Sequence, residues 1–339
     1  MALTVDGSGS RVERNTQPAE APRAETTGPK PAEKAEAAAA PAPAADSFKT
    51  QPNQVANPPI DLGGTGPANG APQHGNPDIN VKDSQGATYQ DLHGVPFIQG
   101  QGDAKAVDPN DVSQGGIGDC YYMSSLATIA QQHPEVIQNA IKQNDDGTYT
   151  VSLYEKRPWY QPWGPEFTKK EINITPELPA RDGNAIFAHT GDETNGQKEL
   201  WVGLMEKAFA KEHGSYKSIE GGWGNEAMEA LTGKSSDTYS PGKMNIQQLA
   251  DLHTQGKGIT VSSAADYKLG PIDLPDTVSR NPLYKNGTLV ANHEYWISDV
   301  DTKNNTVTLR NPWGYEPGIT LPFDQFQGAF RQVSTNPLN

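Results

Sequence analysis

The chain has 339 residues with 27 basic and 41 acidic side chains, a net charge of −14 and a single cysteine. The acidic balance disfavours a nucleic-acid binder, which depends on clustered Lys and Arg, and no apolar run reaches the roughly 18–20 residues of a membrane-spanning helix. One cysteine also excludes an intramolecular disulfide framework, so the core must provide the stability.

Residues 1–86 differ in composition from the rest of the chain. Ala37–Ala45 contains only Ala and Pro, and Gly, Pro, Asn and Gln dominate Gln51–Asn76. Because large apolar residues are scarce, little burial is available to offset the entropy of ordering, and we predict a disordered tail. A flexible linker, an export address and a removable pro-segment fit this composition equally well. Since Met1–Asn15 lacks the apolar core of a secretory signal peptide, we expect the protein to be cytoplasmic or exported without one.

A first, mainly helical lobe is predicted over residues 87–233, with order beginning near Thr88–Phe97. Apolar spacing indicates one helix from Tyr121 to Ala130 and a longer one from Glu199 to His213. The remaining predicted elements are a second helix opened by Pro134, strands at Tyr149–Tyr154 and Lys170–Ile174, and a short helix capped by Asn225 that ends at Gly233.

The second lobe, residues 234–339, is predicted to be mainly sheet. After a helix capped by Asn245, the alternating patterns indicate strands at Ile259–Ser262, Val290–Val300 and Thr306–Asn311. The chain is therefore predicted to be an α+β protein with two lobes. A cleft between lobes is a usual place for an active site.

The first candidate for chemistry is Cys120, which follows the glycine-rich run Gln114–Asp119 and begins the first predicted helix. Unpaired N–H groups and the helix dipole at that end favour a thiolate, the reactive form of the side chain. Considered alone, a lone cysteine is more commonly a small buried hydrophobe. The other candidate residues favour the nucleophile.

A thiolate nucleophile needs a base, a group that orients the base, and donors for the oxyanion. Among the seven histidines, His293 is distinctive because it begins an alternating strand. A hairpin turning at Asp301–Asn304, with Asn304 in the left-handed region, brings His293 within roughly 7 Å of Asn311. Asn311 would then orient the imidazole, and Trp313 would shield their hydrogen bond from water.

Four stretches together carry a family resemblance. They are Gln114–Cys120, the run Leu200–Lys211 continuing through Gly214–Tyr216 to Glu220–Gly222, then Asn292–Tyr295, and Leu309–Gly314. In this order they resemble the protease core of the calpains, a branch of the papain-like cysteine peptidases. The resemblance extends from about Phe97 to Phe330 and implies a papain-like two-lobed cysteine protease core.

The resemblance also implies roles for individual side chains. In order of role, these are Cys120 as nucleophile, His293 as general base and acid, Asn311 as orienter, Gln114 as oxyanion donor beside the Cys120 N–H, and Gly222 as the glycine that lets a substrate backbone approach. Two positions depart from the family pattern: Tyr121 replaces a tryptophan, and Glu294 replaces a small residue.

Calcium is the one ion that the resemblance implies, although the thiol chemistry requires no cofactor. Asp111 and Glu199 stand at positions that resemble two carboxylate ligands, and hard oxygen ligands suit Ca²⁺. Alternatively, Asp111 is an ordinary loop residue and Glu199 only starts a helix, where a carboxylate is favoured anyway. The family's second calcium loop is not recognisable after Gly314, and we expect no counterpart of its EF-hand and lipid-binding modules in this sequence.

The residues predict a calpain-like cysteine endopeptidase that acts on protein or peptide substrates through an acyl-enzyme. Two alternatives use the same residues. A papain-like acyl transferase or amidase is one, because acyl-enzyme chemistry does not specify the acceptor. An inactive binding pseudo-protease is disfavoured, because every triad position is filled. We expect no nucleic-acid partner and no membrane span, and the sequence indicates no particular oligomeric state.

Overall fold

The computed structural model of the chain describes residues 75–100, 103–265, 268–269, 272–273, 277–314 and 317–338. Most of the predicted disordered tail, residues 1–74, lies outside the described residues. The last part of that tail already contacts the fold, since Asp78 forms a β-bridge to Ser215 and the Val81 side chain is buried. Ordered structure therefore begins before Thr88.

Eight α-helices occur within the described residues. They are α1 Cys120–Gln132, α2 Pro134–Ala140, α3 Trp201–Glu212, α4 Gly224–Thr232, α5 Ile246–Thr254, α6 Thr277–Arg280, α7 Pro282–Lys285 and α8 Phe323–Ala329.

The described strands form five sheets. Those up to residue 199 are β1 Thr88–Gln90, β2 Gly94–Val95, β3 Ile141–Gln143, β4 Tyr149–Lys156, β5 Phe167–Ile174, β6 Leu178–Arg181, β7 Asn184–Ala185, β8 Glu193–Thr194 and β9 Gln197–Glu199. The later ones are β10 Asp237–Tyr239, β11 Gly258–Ser263, β12 Lys268–Leu269, β13 Ile272–Asp273, β14 Glu294–Asp301, β15 Thr306–Arg310, β16 Ile319–Pro322 and β17 Phe330–Asn336.

The first lobe packs α1, α3 and α4 with the antiparallel sheet β3–β4–β5 around one apolar core. The apolar side chains whose spacing predicted the long helix are buried, and Gly214 follows the helix at φ 91, where a residue without a Cβ is favoured. The predicted start of that helix at Glu199 is wrong, because Glu199 is the last residue of β9, which pairs with β2. The cap of α4 is Trp223 and not Asn225.

The second lobe is built on a six-stranded sheet in the order β10–β17–β11–β14–β15–β16, with antiparallel neighbours. The strand predicted from Val290 begins only at Glu294, because Asn292 adopts a left-handed backbone at φ 52 that interrupts an extended run. The hairpin turn also differs from prediction, since Asn305 at φ 55, and not Asn304, takes the left-handed position.

Helix α1 joins the two lobes. It packs against α2 and α4 of the first lobe and against β11 and β14 of the second. The apolar core of the first lobe consists mainly of residues up to Leu231, and that of the second lobe consists of residues from Met244 onward. We therefore propose a lobe boundary near residue 233. The chain is an α+β protein with a mainly helical first lobe and a β-rich second lobe. Among the described helices, none has the length and apolarity to span a bilayer.

Candidate active site

Cys120 is the first residue of α1 and lies at the junction of the lobes. Its side chain is only 2% exposed. The Glu294 N–H, at the start of β14, donates a hydrogen bond to the Cys120 Sγ at 3.3 Å. A helix from one lobe and a strand from the other therefore meet at the thiol. A backbone donor and a helix N-terminus both stabilise negative charge on sulfur.

The glycine-rich loop before Cys120 needs glycine for close packing. A Cβ at Gly115 would stand 1.9 Å from the Phe187 carbonyl oxygen, which no side chain tolerates. The next residue, Gly116, donates its N–H to the Ile186 carbonyl at 2.8 Å. The glycines thus let the loop lie against a neighbouring backbone segment and fix the direction in which α1 begins.

His293 lies immediately before β14, and Asn311 lies immediately after β15, which pairs with β14. The His293 Nε2 and the Asn311 Oδ1 are 2.8 Å apart, and both side chains are buried. The Trp313 N–H contacts the same Asn311 oxygen at 3.3 Å, which identifies that atom as the acceptor. The hairpin thus brings together the two residues that the sequence predicted would meet.

The backbone of His293 is also held in place. Its N–H donates to the Ser263 Oγ at 2.9 Å, and its carbonyl accepts the Ser263 N–H at 2.9 Å. The Trp313 ring lies 5.1 Å from the imidazole between ring centroids, and the Tyr295 ring stands perpendicular to it at 4.9 Å. Two aromatic rings therefore flank the His293 imidazole.

Gln114 is buried in the loop that leads to Cys120. Its Nε2 donates to the Ile117 carbonyl at 2.7 Å, and its backbone N–H donates to the Pro312 carbonyl at 2.9 Å. The amide nitrogen carries two hydrogens, of which the Ile117 carbonyl accepts one. Gln114 therefore links the nucleophile loop to the segment that follows Asn311.

Gly222 has a structural reason to be glycine in addition to the predicted one. A Cβ at this position would stand 2.5 Å from the Tyr121 ring, whose hydroxyl donates to the Ile219 carbonyl at 3.1 Å. Tyr121, one of the two departures from the family pattern, thus packs directly against the Gly222 backbone. The predicted contact of Gly222 with a substrate backbone stays a prediction.

The second departure, Glu294, is fully buried. Its Oε2 accepts a hydrogen bond from the Ser262 Oγ at 2.6 Å, and its side chain lies close to Gly224. Burial raises the pKa of the Glu294 carboxyl to about 7, while the Ser262 hydrogen bond and the nearby Arg331 act in the opposite direction. A group that titrates near neutrality thus stands directly after His293.

We expect Glu294→Gln to stabilise the protein at pH 8 and to have little effect at pH 4.5. The folded pKa of about 7 exceeds the ordinary value of 4.5, so the wild type loses stability as pH rises through this interval. At pH 8 the free energy of unfolding of the variant should exceed that of the wild type by about 3 kcal/mol, because each pKa unit corresponds to 1.36 kcal/mol. Urea unfolding at both pH values measures it.

The matched control for this charge removal is Glu171→Gln, because the Glu171 side chain is 66% exposed. The control should change the free energy of unfolding by similar small amounts at both pH values. A Glu294→Gln effect that is independent of pH would contradict the assigned titration.

A cluster of carboxylates lies in the first lobe near β9. Asp103, Asp111 and Asp192 each offer an oxygen, and these oxygens lie within 4.8 Å of one another. Glu199 is beside them, with its Oε1 accepting the Ile98 N–H at 2.7 Å. Its buried Oε2 accepts no hydrogen bond from the described residues. The cluster therefore has the oxygen donors that a hard cation requires.

Burial is the main cause of the perturbed acidity in this cluster. It raises the pKa of Asp111 to about 6 and that of Glu199 to about 9, and repulsion from neighbouring carboxylates adds to both effects. The sequence predicted Asp111 and Glu199 but missed Asp103 and Asp192. The only signal for those two was that each directly follows a glycine in a loop.

Comparison with known proteins finds one family that matches most of the fold. A family model described as calpain family cysteine protease matches residues 99–321, which include every candidate site residue named above. Among curated proteins, Calpain-A of Drosophila melanogaster is 27% identical over 238 residues, covering 66% of this chain and 26% of that protein.

Other relatives have similar sequence identity and coverage. Calpain clp-4 of Caenorhabditis elegans is 28% identical over 214 residues, covering 61% of this chain and 27% of that protein. Calpain-8 of Homo sapiens is 28% identical over 218 residues, covering 60% of this chain and 28% of that protein. The match thus spans only 26–28% of the length of these relatives.

Proposed function

The chain belongs to the calpain family of cysteine proteases, and on that premise we propose that it is an endopeptidase that hydrolyses peptide bonds of protein substrates through an acyl-enzyme on Cys120. One observation carries the proposal. A hydrogen-bonded pair, His293 and Asn311, lies beside a helix N-terminal cysteine whose Sγ accepts the N–H of the residue after the histidine.

The His293–Asn311 hydrogen bond supports an assignment of the imidazole tautomer. A carbonyl oxygen only accepts, so the His293 Nε2 must carry the hydrogen. In the neutral ring Nδ1 is then the basic nitrogen, and we assign the proton exchange with Cys120 to this atom. Asn311 fixes the ring in this tautomer, as the third member of such triads does.

The proposed reaction has two halves. The Cys120 thiolate attacks the peptide carbonyl carbon, and the C–N bond breaks as the His293 Nδ1–H is transferred to the leaving amine. A water molecule then loses a proton to Nδ1 and attacks the thioester, which releases a free carboxylate and the Cys120 thiol. Water is the only co-reactant that the two halves of the reaction require.

Gln114→Ala should lower kcat by about 10²–10³-fold and change KM little, because we assign its amide N–H to the oxyanion together with the Cys120 N–H. The matched control is Gln143→Ala, at an exposed position on β3. Steady-state kinetics on a fluorogenic peptide measure both, with a thermal melt to verify folding. A loss of less than about threefold for Gln114→Ala would remove this residue from the oxyanion site.

The endopeptidase proposal is tested by incubating the full chain with casein and identifying new N-termini by mass spectrometry. We expect cleavages inside the casein chains, with the products accumulating over time. Intact casein after prolonged incubation, or trimming confined to the chain ends, would contradict endopeptidase activity.

We also propose that Asp103, Asp111, Asp192 and Glu199 hold a calcium ion. The observations that support this are the converging oxygens and the buried Glu199 Oε2. A bound divalent cation would offset the mutual repulsion of these carboxylates and hold the Asp111 loop to the end of β9. The four side chains bind and position this region, and no step of the proposed reaction passes through the ion.

Calcium should therefore raise the free energy of unfolding of the wild type, by about 2.7 kcal/mol at a concentration one hundred times Kd. Glu199→Gln should lose most of this effect, because the carboxyl can give up its proton and bind the ion as an anion, whereas an amide cannot. Glu193→Gln, an exposed neighbour, removes the same charge and should keep the effect. Thermal or urea unfolding with and without Ca²⁺ measures the stabilisation of each protein. Equal stabilisation of the wild type and both variants would disprove the site.

A further inference from the structure

The large apolar side chains that stand exposed in the described part of the chain all fall within five residues. Trp159 is 80% exposed, Tyr160 51% and Trp163 77%. Large apolar side chains exposed together on a folded protein often mark an interaction site, whereas a single exposed one is ordinary. The proposed peptidase reaction uses none of these three residues, so they need a separate explanation.

The three aromatic residues occupy the tip of a hairpin. Strands β4 and β5 pair without a break from Tyr149↔Ile174 to Lys156↔Phe167, and residues 157–166 connect them. Residues 159–166 are all exposed, and a Cβ at Gly164 would meet no atom within 4 Å. The tip is therefore a projecting surface. A projecting tip cannot enclose a small molecule. It is suited to insertion into a larger partner.

The backbone of the connection is held by a few internal hydrogen bonds. Three of its ten residues are prolines, which have no N–H. The Arg157 N–H donates to the Glu166 carbonyl at 2.7 Å, and the Gln161 N–H donates to the Pro158 carbonyl at 3.0 Å. The Arg157 side chain also donates to the Gly164 carbonyl. These hydrogen bonds and the three prolines reduce the number of unpaired polar groups at the tip, and unpaired polar groups oppose transfer into an apolar phase.

The chemistry of the tip favours a lipid surface over an electrostatic partner. Trp and Tyr combine an apolar ring with a polar group and are enriched where bilayers meet water. The flanking charges are nearly balanced, with cations Lys156, Arg157, Lys169 and Lys170 against anions Glu155, Glu166 and Glu171. The attraction would therefore come from ring insertion and not from charge.

We propose that Trp159, Tyr160 and Trp163 insert into the headgroup region of a phospholipid bilayer and anchor the protein peripherally. The β4–β5 hairpin holds the three rings at one projecting end of the fold. A protein attached in this way lies on the membrane without spanning it. The strength of its binding scales with the apolar area that inserts. The inference does not depend on the proposed peptidase activity.

The test uses the full chain and vesicles of phosphatidylcholine, in which binding is measured by co-sedimentation. The triple variant Trp159→Ser/Tyr160→Ser/Trp163→Ser should bind at least about tenfold more weakly than the wild type. A Trp159→Phe/Trp163→Phe variant, which keeps large rings, should retain most of the binding. Circular dichroism melts verify that all three proteins fold, and every protein carries the same N-terminal 74 residues.

Two further readouts locate the contact. Brominated lipid should quench tryptophan fluorescence of the wild type and quench that of the triple variant much less. Wild-type binding should persist in 0.5 M NaCl, because charge contributes little. Failure of the wild type to bind vesicles, or equal binding by the triple variant, would overturn the proposal. So would self-association of the wild type that the triple variant abolishes, because the tip would then be a protein contact.

Discussion

Replacing Cys120 by alanine is expected to abolish peptide-bond cleavage, with a loss in kcat on the order of 10⁶-fold. The reason is chemical, because alanine has no atom that can form the thioester. We expect the variant to fold, because the change removes one buried atom and leaves the other contacts of α1 in place. Hydrolysis of a fluorogenic peptide and digestion of casein both measure the loss.

Cys120→Ser is the matched control for this change. Serine keeps a hydrogen-bond acceptor for the Glu294 N–H but is a far weaker nucleophile at neutral pH. It should therefore unfold like the wild type and be almost as inactive as Cys120→Ala. Casein digestion by either purified variant at a rate within tenfold of the wild type would show that the nucleophile lies elsewhere.

His293→Ala is expected to be nearly as damaging as Cys120→Ala, because the imidazole takes and returns the proton in both halves of the reaction. Combining the two substitutions should cost little more than either alone, as in other catalytic units. Asn311→Ala should cost about a hundredfold less than His293→Ala, since it disturbs the orientation of the ring and leaves its identity unchanged.

The pH dependence distinguishes these two variants. The wild-type rate should pass through a maximum, because the thiolate–imidazolium pair gains a proton at low pH and loses one at high pH. Asn311→Ala should keep a maximum of lower height, whereas His293→Ala should lose the bell shape. Equal losses for both variants at every pH would contradict separate roles for the two residues.

Local patterns were sufficient to predict the position of Cys120 at a helix N-terminus and the contact between His293 and Asn311. Helical spacing set the start of α1 at Cys120, and two alternating runs joined by a short turn brought His293 to Asn311. A register shift between Ile297 and Asp299, together with the left-handed Asn305, changed the turn without separating the pair. These errors did not affect the predicted contact, because His293 and Asn311 lie just outside the paired strands β14 and β15.

Features that depend on distant contacts could not be predicted. The carboxylates of Asp103 and Asp192 converge only because their two loops fold together, and nothing in their spacing indicates it. Glu199 has a helix-starting sequence context, yet pairing with β2 extends it into a strand. The burial of Glu294 depends on its packing near Gly224, far away in sequence.

The exposed hairpin tip was missed for a related reason. Trp159, Tyr160 and Trp163 lie among prolines, with neither helical nor alternating spacing, so no element could be assigned to them. Aromatic residues in such a run are usually assumed to be buried, and only the fold reveals that no other part of the described chain covers them.

The central claim is that water accepts the acyl group from Cys120, and mass spectrometry of the acyl product tests it most directly. A peptide substrate is cleaved in H₂¹⁸O with a primary amine at low millimolar concentration. We predict a product whose new C-terminus is a free carboxylate carrying one ¹⁸O, with no product from Cys120→Ala. A product that is predominantly the amide of the added amine would contradict the account and identify an acyl transferase.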